Sequence, residues 1–236
     1  MRARFIIHVW TLALTAAAGA AAQSAVPPVA PLHPFSGISS ITTLDNHGAV
    51  SSTTCCGLMQ VDADGRRLTA HIDSASFDAP VRRASITDPI ALKMMTIDYG
   101  SHTANVTLLR LTAVGRIMPS DKPFTYEDNS RGDVGEKIMD GVRVHGYVWV
   151  TKAPDGAAPA TVDVTTRFNP AAYPITNEWW WSPELHVFPL ITQVDANGNK
   201  WIQKYEKFDL HAPAPGTFAI PQGFHVTTVE APPDTH

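Results

Sequence analysis

The sequence predicts a mostly β protein: a single curved antiparallel sheet, a half-open barrel, with few short helices or loops over the concave face. Three observations predict it. Val142, Val144, Val148 and Val150 alternate with Arg143, His145, Tyr147 and Trp149, the period of two of a strand with one aliphatic and one amphipathic face. Turn chemistry recurs between runs of this type, at Asp64-Gly65, Asp98-Tyr99-Gly100-Ser101, Asp155-Gly156 and Asn197-Gly198-Asn199. No window of about 12 residues combines apolar i, i+3, i+4 spacing with a good cap, and proline is spread throughout.

The chain opens as a secretory leader. Arg2 and Arg4 give the positive start, Phe5 to Gly19 the apolar stretch, and Ala20-Ala21-Ala22 the small-residue cleavage site. The apolar stretch is short for a membrane span and no later stretch is apolar for long enough. Cleavage after Ala22 leaves 236 − 22 = 214 residues, enough for one domain with a real core. Loss of Arg2 and Arg4 takes Lys+Arg from 18 to 16 against 22 Asp+Glu, a balance of −6. A mildly acidic chain without a basic run argues against nucleic acid and anionic headgroups as main partners. The organisation is therefore a signal peptide over 1–22, a Pro/Ala-rich linker over 23–36, a single β-rich domain over 37–230 and a tail over 231–236. The expected localisation is periplasmic or secreted.

The cysteines are Cys55 and Cys56. Being adjacent, they cannot staple distant parts of the chain. They can be free thiols packed as a small apolar pair, a vicinal disulfide, or bonded to another molecule. The first is favoured, because vicinal geometry is costly.

Strands follow in order at Gly57–Asp62, Arg67–Ala75, Lys93–Asp98, Ala104–Leu111, Val142–Val150, Ala160–Asn169, His186–Asp195 and Lys200–Leu210. Asp88-Pro89 reads as a turn. Met118 to Lys137 is polar, with Pro, Asn and Gly, and reads as a long loop or a short helix with loops. Gly146 interrupts the aliphatic row and suits a bend or bulge. Asp195 to Asn199, between two aromatic-bearing runs, is the strongest hairpin signal.

Several segments taken together resemble an uncharacterised family of secreted bacterial proteins. They are Asp62-Ala63-Asp64-Gly65-Arg66, Asp88-Pro89, Gly141-Val142-Arg143-Val144-His145-Gly146, Glu178-Trp179-Trp180-Trp181-Ser182-Pro183-Glu184-Leu185, and Phe218 to Val226 around Pro221 and Phe224. The match runs from about Gly57 to Val226. That family is similar to the Lol-type periplasmic lipoprotein carriers and related envelope-stress sensor domains. The resemblance implies an open, half-closed antiparallel barrel whose apolar concavity holds a lipid, an acylated segment or an extended peptide. The tryptophan run is heavier than the family pattern, and the cysteine pair is not part of it.

The chemistry legible in the residues is that of binding rather than reaction. Trp179, Trp180 and Trp181 alternate faces in a strand, and large indoles with an N–H donor suit a binding rim. Trp149 can join that wall. Val142, Val144, Val148 and Leu185 would present an apolar concave face, so these eight residues are the expected ligand-binding set. Glu184 and His186 would share a strand face, but neither a nucleophile nor an oxyanion element accompanies them. No H-x-H or H-E-x-x-H spacing supports a metal, and no phosphate-cradling glycine loop is present. The sequence therefore predicts a non-catalytic module without metal or cofactor. Its expected partner is a hydrophobic small molecule, a lipid or an acylated protein. The alternative is a structural or regulatory protein–protein module of the envelope.

Overall fold

The computed structural model describes residues 32–109, 131–153 and 173–230. They form one sheet of 12 strands in the order β12-β6-β5-β4-β3-β2-β1-β11-β10-β9-β8-β7. A first meander runs through β1 (Phe35–Leu44), β2 (Val50–Val61), β3 (Arg67–Ile72), β4 (Val81–Asp88), β5 (Lys93–Asp98) and β6 (Thr103–Leu108). A second runs through β7 (Gly132–Met139), β8 (Val142–Thr151), β9 (Ile175–Ser182), β10 (Val187–Val194) and β11 (Lys200–Asp209). Antiparallel pairing of β1 with β11 joins the two. The last strand, β12 (His225–Glu230), adds in parallel to β6. No two strand ends close the ring, so the sheet is open, and no helix occurs among the described residues.

The turns are held by the residues that signalled them. Asp62 accepts backbone hydrogen bonds from Asp64 (3.0 Å) and Arg66 (2.9 Å) and pairs with the Arg66 side chain at 2.6 Å. Asp195 does the same for Asn197 (3.0 Å) and Asn199 (2.9 Å), with Gly198 at φ 87° where a side chain would be strained. Asp88 caps the turn after β4 by accepting from the N–H groups of Ile90 and Ala91.

Five strands, β1, β4, β7, β9 and β12, lie outside the strand ranges expected from the sequence, although the alternation of Trp179, Trp180 and Trp181 anticipated β9 in part. β7 corrects the expected loop over 118–137, because residues 132–137 belong to it; 118–130 lie outside the described residues. β2 begins at Val50 rather than Gly57, and β3 ends at Ile72 rather than Ala75. The strand expected over 160–169 and the leader over 1–22 lie outside the described residues. The 23–36 segment is described from Leu32 onward, where Leu32 and Phe35 are buried and β1 has begun. Cys55 and Cys56 are joined to each other as a vicinal disulfide, the less favoured of the states open in the sequence.

Two apolar clusters make the core. The first gathers alternate residues of β2–β6, among them Leu58, Leu68, Ile86, Met95 and Ile97. Register puts these on one face: Leu68 stands opposite Ile86, Ile86 opposite Met95, and Met95 opposite Val106. Phe77, Phe218, Ile220 and Phe224, from outside the strands, cover that face.

The second cluster joins Leu32, Phe35 and Val61 to Val142, Val144, Trp180, Leu185 and Val187. It spans from β2 to β8, five places apart in the strand order, which a flat sheet would separate by roughly 24 Å. A sheet of this width is expected to curl. β11 shows where it opens. Lys200 to Lys204 pair with both β10 and β1, whereas Tyr205 to Asp209 pair with β1 alone. Leu185, Val187 and Phe208 fill the wedge so created.

Candidate ligand-binding site

β8, β9 and β10 position the tryptophans. Tyr147 stands opposite Trp179 and Gly146 opposite Trp180, while Trp179 stands opposite Ile191 and Trp180 opposite Leu190. Alternation then sorts the expected ligand-binding residues into two sets. Val142, Val144, Val148 and Trp180 share one face. Trp149, Trp179 and Trp181 share the other. Leu185 is in the turn between β9 and β10.

The first set is largely core. Val142, Val144, Trp180 and Leu185 are buried against Leu32, Phe35 and Val61, so side chains of the protein itself fill the hollow these residues would have lined. Trp180 is fixed on all sides. Its indole N–H donates to Glu178 at 2.7 Å, the Lys137 ammonium lies 3.4 Å from its ring centroid, and its ring sits over the bare Cα of Gly146, where a Cβ would meet it at 2.8 Å. The interruption at Gly146 is thus a seat for an indole. Val148 is half-buried.

The second set forms a continuous aromatic face. Trp149 meets Trp179 edge-on at 5.0 Å, Trp179 meets Phe188 at 5.0 Å, Phe188 meets Trp181 at 4.9 Å, and Trp181 stacks on His186 at 5.8 Å. These are the offset and edge geometries in which ring quadrupoles attract. Trp149, Trp179 and Phe188 are half-buried and Trp181 is buried. Phe188, which completes this face, was not singled out in the sequence; its place one position from Val187 across a β-bulge is what directs it there.

Glu184 and His186 do not form an acid–base pair on a strand. Both lie in the β9–β10 turn. Glu184 is 3.7 Å from His33, and His186 turns to Trp181. Among the described residues no group of three or more His, Cys, Asp or Glu could hold a metal ion, and no helix is long and apolar enough to cross a membrane.

Another polar feature lies on the first meander. Arg67 stands opposite Val61, and Val61 opposite Phe35, so Arg67 shares the face of the second cluster. Beside it Tyr205 is buried over Gly37, where a Cβ would meet its ring at 2.6 Å. The Tyr205 hydroxyl donates to the Met59 thioether at 3.4 Å, and its ring stacks on Phe208 at 4.9 Å. Burial pushes the Tyr205 hydroxyl up to about 12, against the pull of Arg67, and burial lowers Arg67 from the usual guanidinium value.

No family model matches the sequence, and no characterised protein matches it in sequence. Among solved structures the fold is similar to an uncharacterized conserved protein from Thermus thermophilus, at 9% identity and TM-score 0.40 over 83% of this chain and 90% of that one. It is similar also to a chain of the MucA/MucB complex of Pseudomonas aeruginosa, at 16% identity and TM-score 0.39, where 83% of this chain spans 58% of that one. A LolA superfamily protein from Nitrosomonas europaea gives 11% identity and TM-score 0.32 over 80% of this chain and 91% of that one.

Proposed function

We propose that the chain is an exported, non-catalytic binding module for a lipid, an acylated segment or another hydrophobic ligand. The observation that carries this reading is the aromatic face of β8–β10. In an antiparallel sheet with one face in the core, the other is normally polar. Here Trp149, Trp179, Trp181 and Phe188 occupy that other face, behind which Trp180, Val142 and Val144 pack as a rigid support. Trp149 and Trp179 are half-buried, so covering roughly 50 Å² of each contributes about 1 kcal/mol per ring, and most of the affinity for an acyl chain would come from burial of the chain itself. The leader read over residues 1–22 supports a periplasmic or secreted location.

The test is titration of the purified protein with a fatty acyl probe and a hydrophobic dye. Saturable binding is expected, and Trp149→Ala with Trp179→Ala should weaken it at least tenfold while the fold persists. Absence of saturable binding across several such probes refutes the reading. The alternative, a protein–protein module of the envelope, is favoured by one observation: β7 ends the sheet among the described residues and exposes Val134 and Ile138. Recovery of a protein, and no lipid, with the chain from its own envelope would select it.

A further inference from the structure

At one end of the aromatic face two buried nitrogens, the indole Nε1 of Trp181 and the Nδ1 of His186, have no hydrogen-bond partner among the described residues. A buried indole N–H normally finds an acceptor. Trp180, the neighbouring residue on the other face, does so, donating to Glu178 at 2.7 Å. Trp181 is only 6% exposed, so bulk water does not take the acceptor's place.

The β9–β10 turn holds His186 beside that indole. The Ser182 carbonyl accepts from the His186 N–H at 2.9 Å, the Ser182 hydroxyl accepts from the Leu185 N–H at 3.2 Å, and Leu185 is anchored in the second cluster. His186 takes φ 52°, the left-handed region that a residue with a Cβ rarely adopts. Its ring is left stacked on Trp181 at 5.8 Å and 30°. A strained backbone and two unpaired nitrogens at one spot are unfavourable for the chain alone, and a ligand with matching polar atoms relieves them. Pro183 and Glu184 are exposed and His186 is half-buried, so this end of the row is also where the chain turns toward solvent.

Charge and hydrogen-bonding capacity select the group. Trp181 stands opposite His145, His145 opposite Glu136, and Tyr147 opposite Asp133, all on the aromatic face. His145 lies 3.1 Å from Asp133 and 3.8 Å from Glu136, two carboxylates against one imidazole. Arg131 lies over Trp149, at the far end of the row. An anionic head beside Trp181 is therefore repelled, whereas an uncharged one is not. The indole only donates, and a neutral imidazole offers Nδ1 as a donor in one tautomer and an acceptor in the other. A secondary amide, with one acceptor and one donor, suits both nitrogens in either tautomer; an ester lacks the donor.

We propose that the Trp181–His186 end of the row receives the uncharged amide of an amphiphile whose acyl chain lies along Phe188, Trp179 and Trp149, the His186 ring turning off Trp181 as the amide enters. This rests on the proposed binding of hydrophobic ligands and names the polar group that such a ligand carries.

The experiment is calorimetric titration with N-methyldecanamide, methyl decanoate, decanoate and an N-decanoyl dipeptide amide, on the wild type and on His186→Phe, His186→Asn and Trp181→Phe, with thermal melting to check that each variant folds. N-methyldecanamide is expected to bind about fivefold more tightly than methyl decanoate and about tenfold more tightly than decanoate. His186→Phe keeps a ring but no nitrogen and should erase the preference for amide over ester. His186→Asn tolerates the left-handed backbone, keeps a hydrogen-bonding group and should retain part of it. Trp181→Phe should lower the affinity for the amide. A readout on the wild type alone is the indole N–H resonance of Trp181 in heteronuclear NMR, assigned by its absence from Trp181→Phe, which should move downfield as the amide binds. A dipeptide amide bound more tightly than N-methyldecanamide places the amide in an acylated chain; one bound no better places it in a free fatty amide. Equal affinity for amide and ester, tightest binding of decanoate, or a Trp181 resonance unmoved by the bound amide overturns the amide site and leaves the hydrophobic reading intact. Binding of no decanoyl probe overturns both readings.

Discussion

The two meanders solve the same problem in opposite ways. β2–β6 bury one face under Phe77, Phe218, Ile220 and Phe224 and leave Thr69, His71, Arg83, Ser85 and Thr96 on the other. β8–β10 bury Val142, Val144 and Trp180 on one face and still carry Trp149, Trp179, Trp181 and Phe188 on the other. The first arrangement is complete as a piece of structure, because each face matches its surroundings. The second is apolar on both faces, and an apolar second face on a sheet is what a hydrophobic ligand or partner can use. Function is therefore to be sought where the alternation of polar and apolar rows fails.

The comparison can be broken most forcefully at the cores. Phe35→Ala in the second cluster should cost about 3–5 kcal/mol and Ile97→Ala in the first about 2–5 kcal/mol, read as shifts of the urea midpoint. A loss under about 1 kcal/mol at Phe35 would mean that β8–β10 do not depend on the β1–β2 end for support. The glycines give the next largest contrast. Gly146→Ala places a Cβ 2.8 Å from the Trp180 ring and should cost about 1–3 kcal/mol. Gly100→Ala in the other meander meets the Asp98 side chain at 3.4 Å and should be close to neutral.

Titration sharpens the contrast further. Tyr205 ionises in the folded state at about 12, above its ordinary value of 10.0, because burial disfavours the phenolate. Its contribution to stability is fully present below pH 10 and is lost as pH rises toward 12. Alkaline unfolding followed by circular dichroism should show this, and Tyr205→Phe should flatten the profile. Asp98 shifts the other way, to about 2 from 3.8, chiefly through the Ser101 backbone N–H and then Arg83. Its contribution is present above pH 4 and lost as pH falls toward 2; Asp98→Asn should flatten that acid limb by lowering stability at pH 7, while leaving it nearly unchanged near pH 2. The smallest effect is expected on the polar face itself, where Thr96→Val should change stability by no more than about 0.5 kcal/mol.

Much of the fold was legible because local chemistry and long-range pairing agreed. The alternation from Val142 to Val150 is β8, and Asp62-Ala63-Asp64-Gly65 and Asp195 to Asn199 are turns closed by their own carboxylates. The missed strands lack that agreement. β7 carries Asp133, Glu136 and Lys137 at an edge, and β12 is exposed along its whole length, so neither has an apolar row to betray it. β4 shows only Ala84 and Ile86 between polar residues, too short a pattern to stand alone. Of the site, the tryptophan run and its partner Trp149 were readable as a wall. Which indole faces which way was not, because that depends on the register of β9 against β8 and β10. Val142, Val144 and Leu185 looked like the lining of a hollow since nothing local reveals that Leu32, Phe35 and Val61 fold back to meet them.

The parallel seam between β12 and β6 runs without slippage from His225 beside Thr103 to Glu230 beside Leu108. Its strands are separated by more than a hundred residues of chain, so the seam can seal only after the first meander exists. Until then the outer amides of β6 are open to any extended chain, including the same strand of another copy. β12 thus takes up the free pairing edge of β6 and becomes the sheet edge in its place, and a protein shortened before His225 is expected to sediment as larger species than the full chain does.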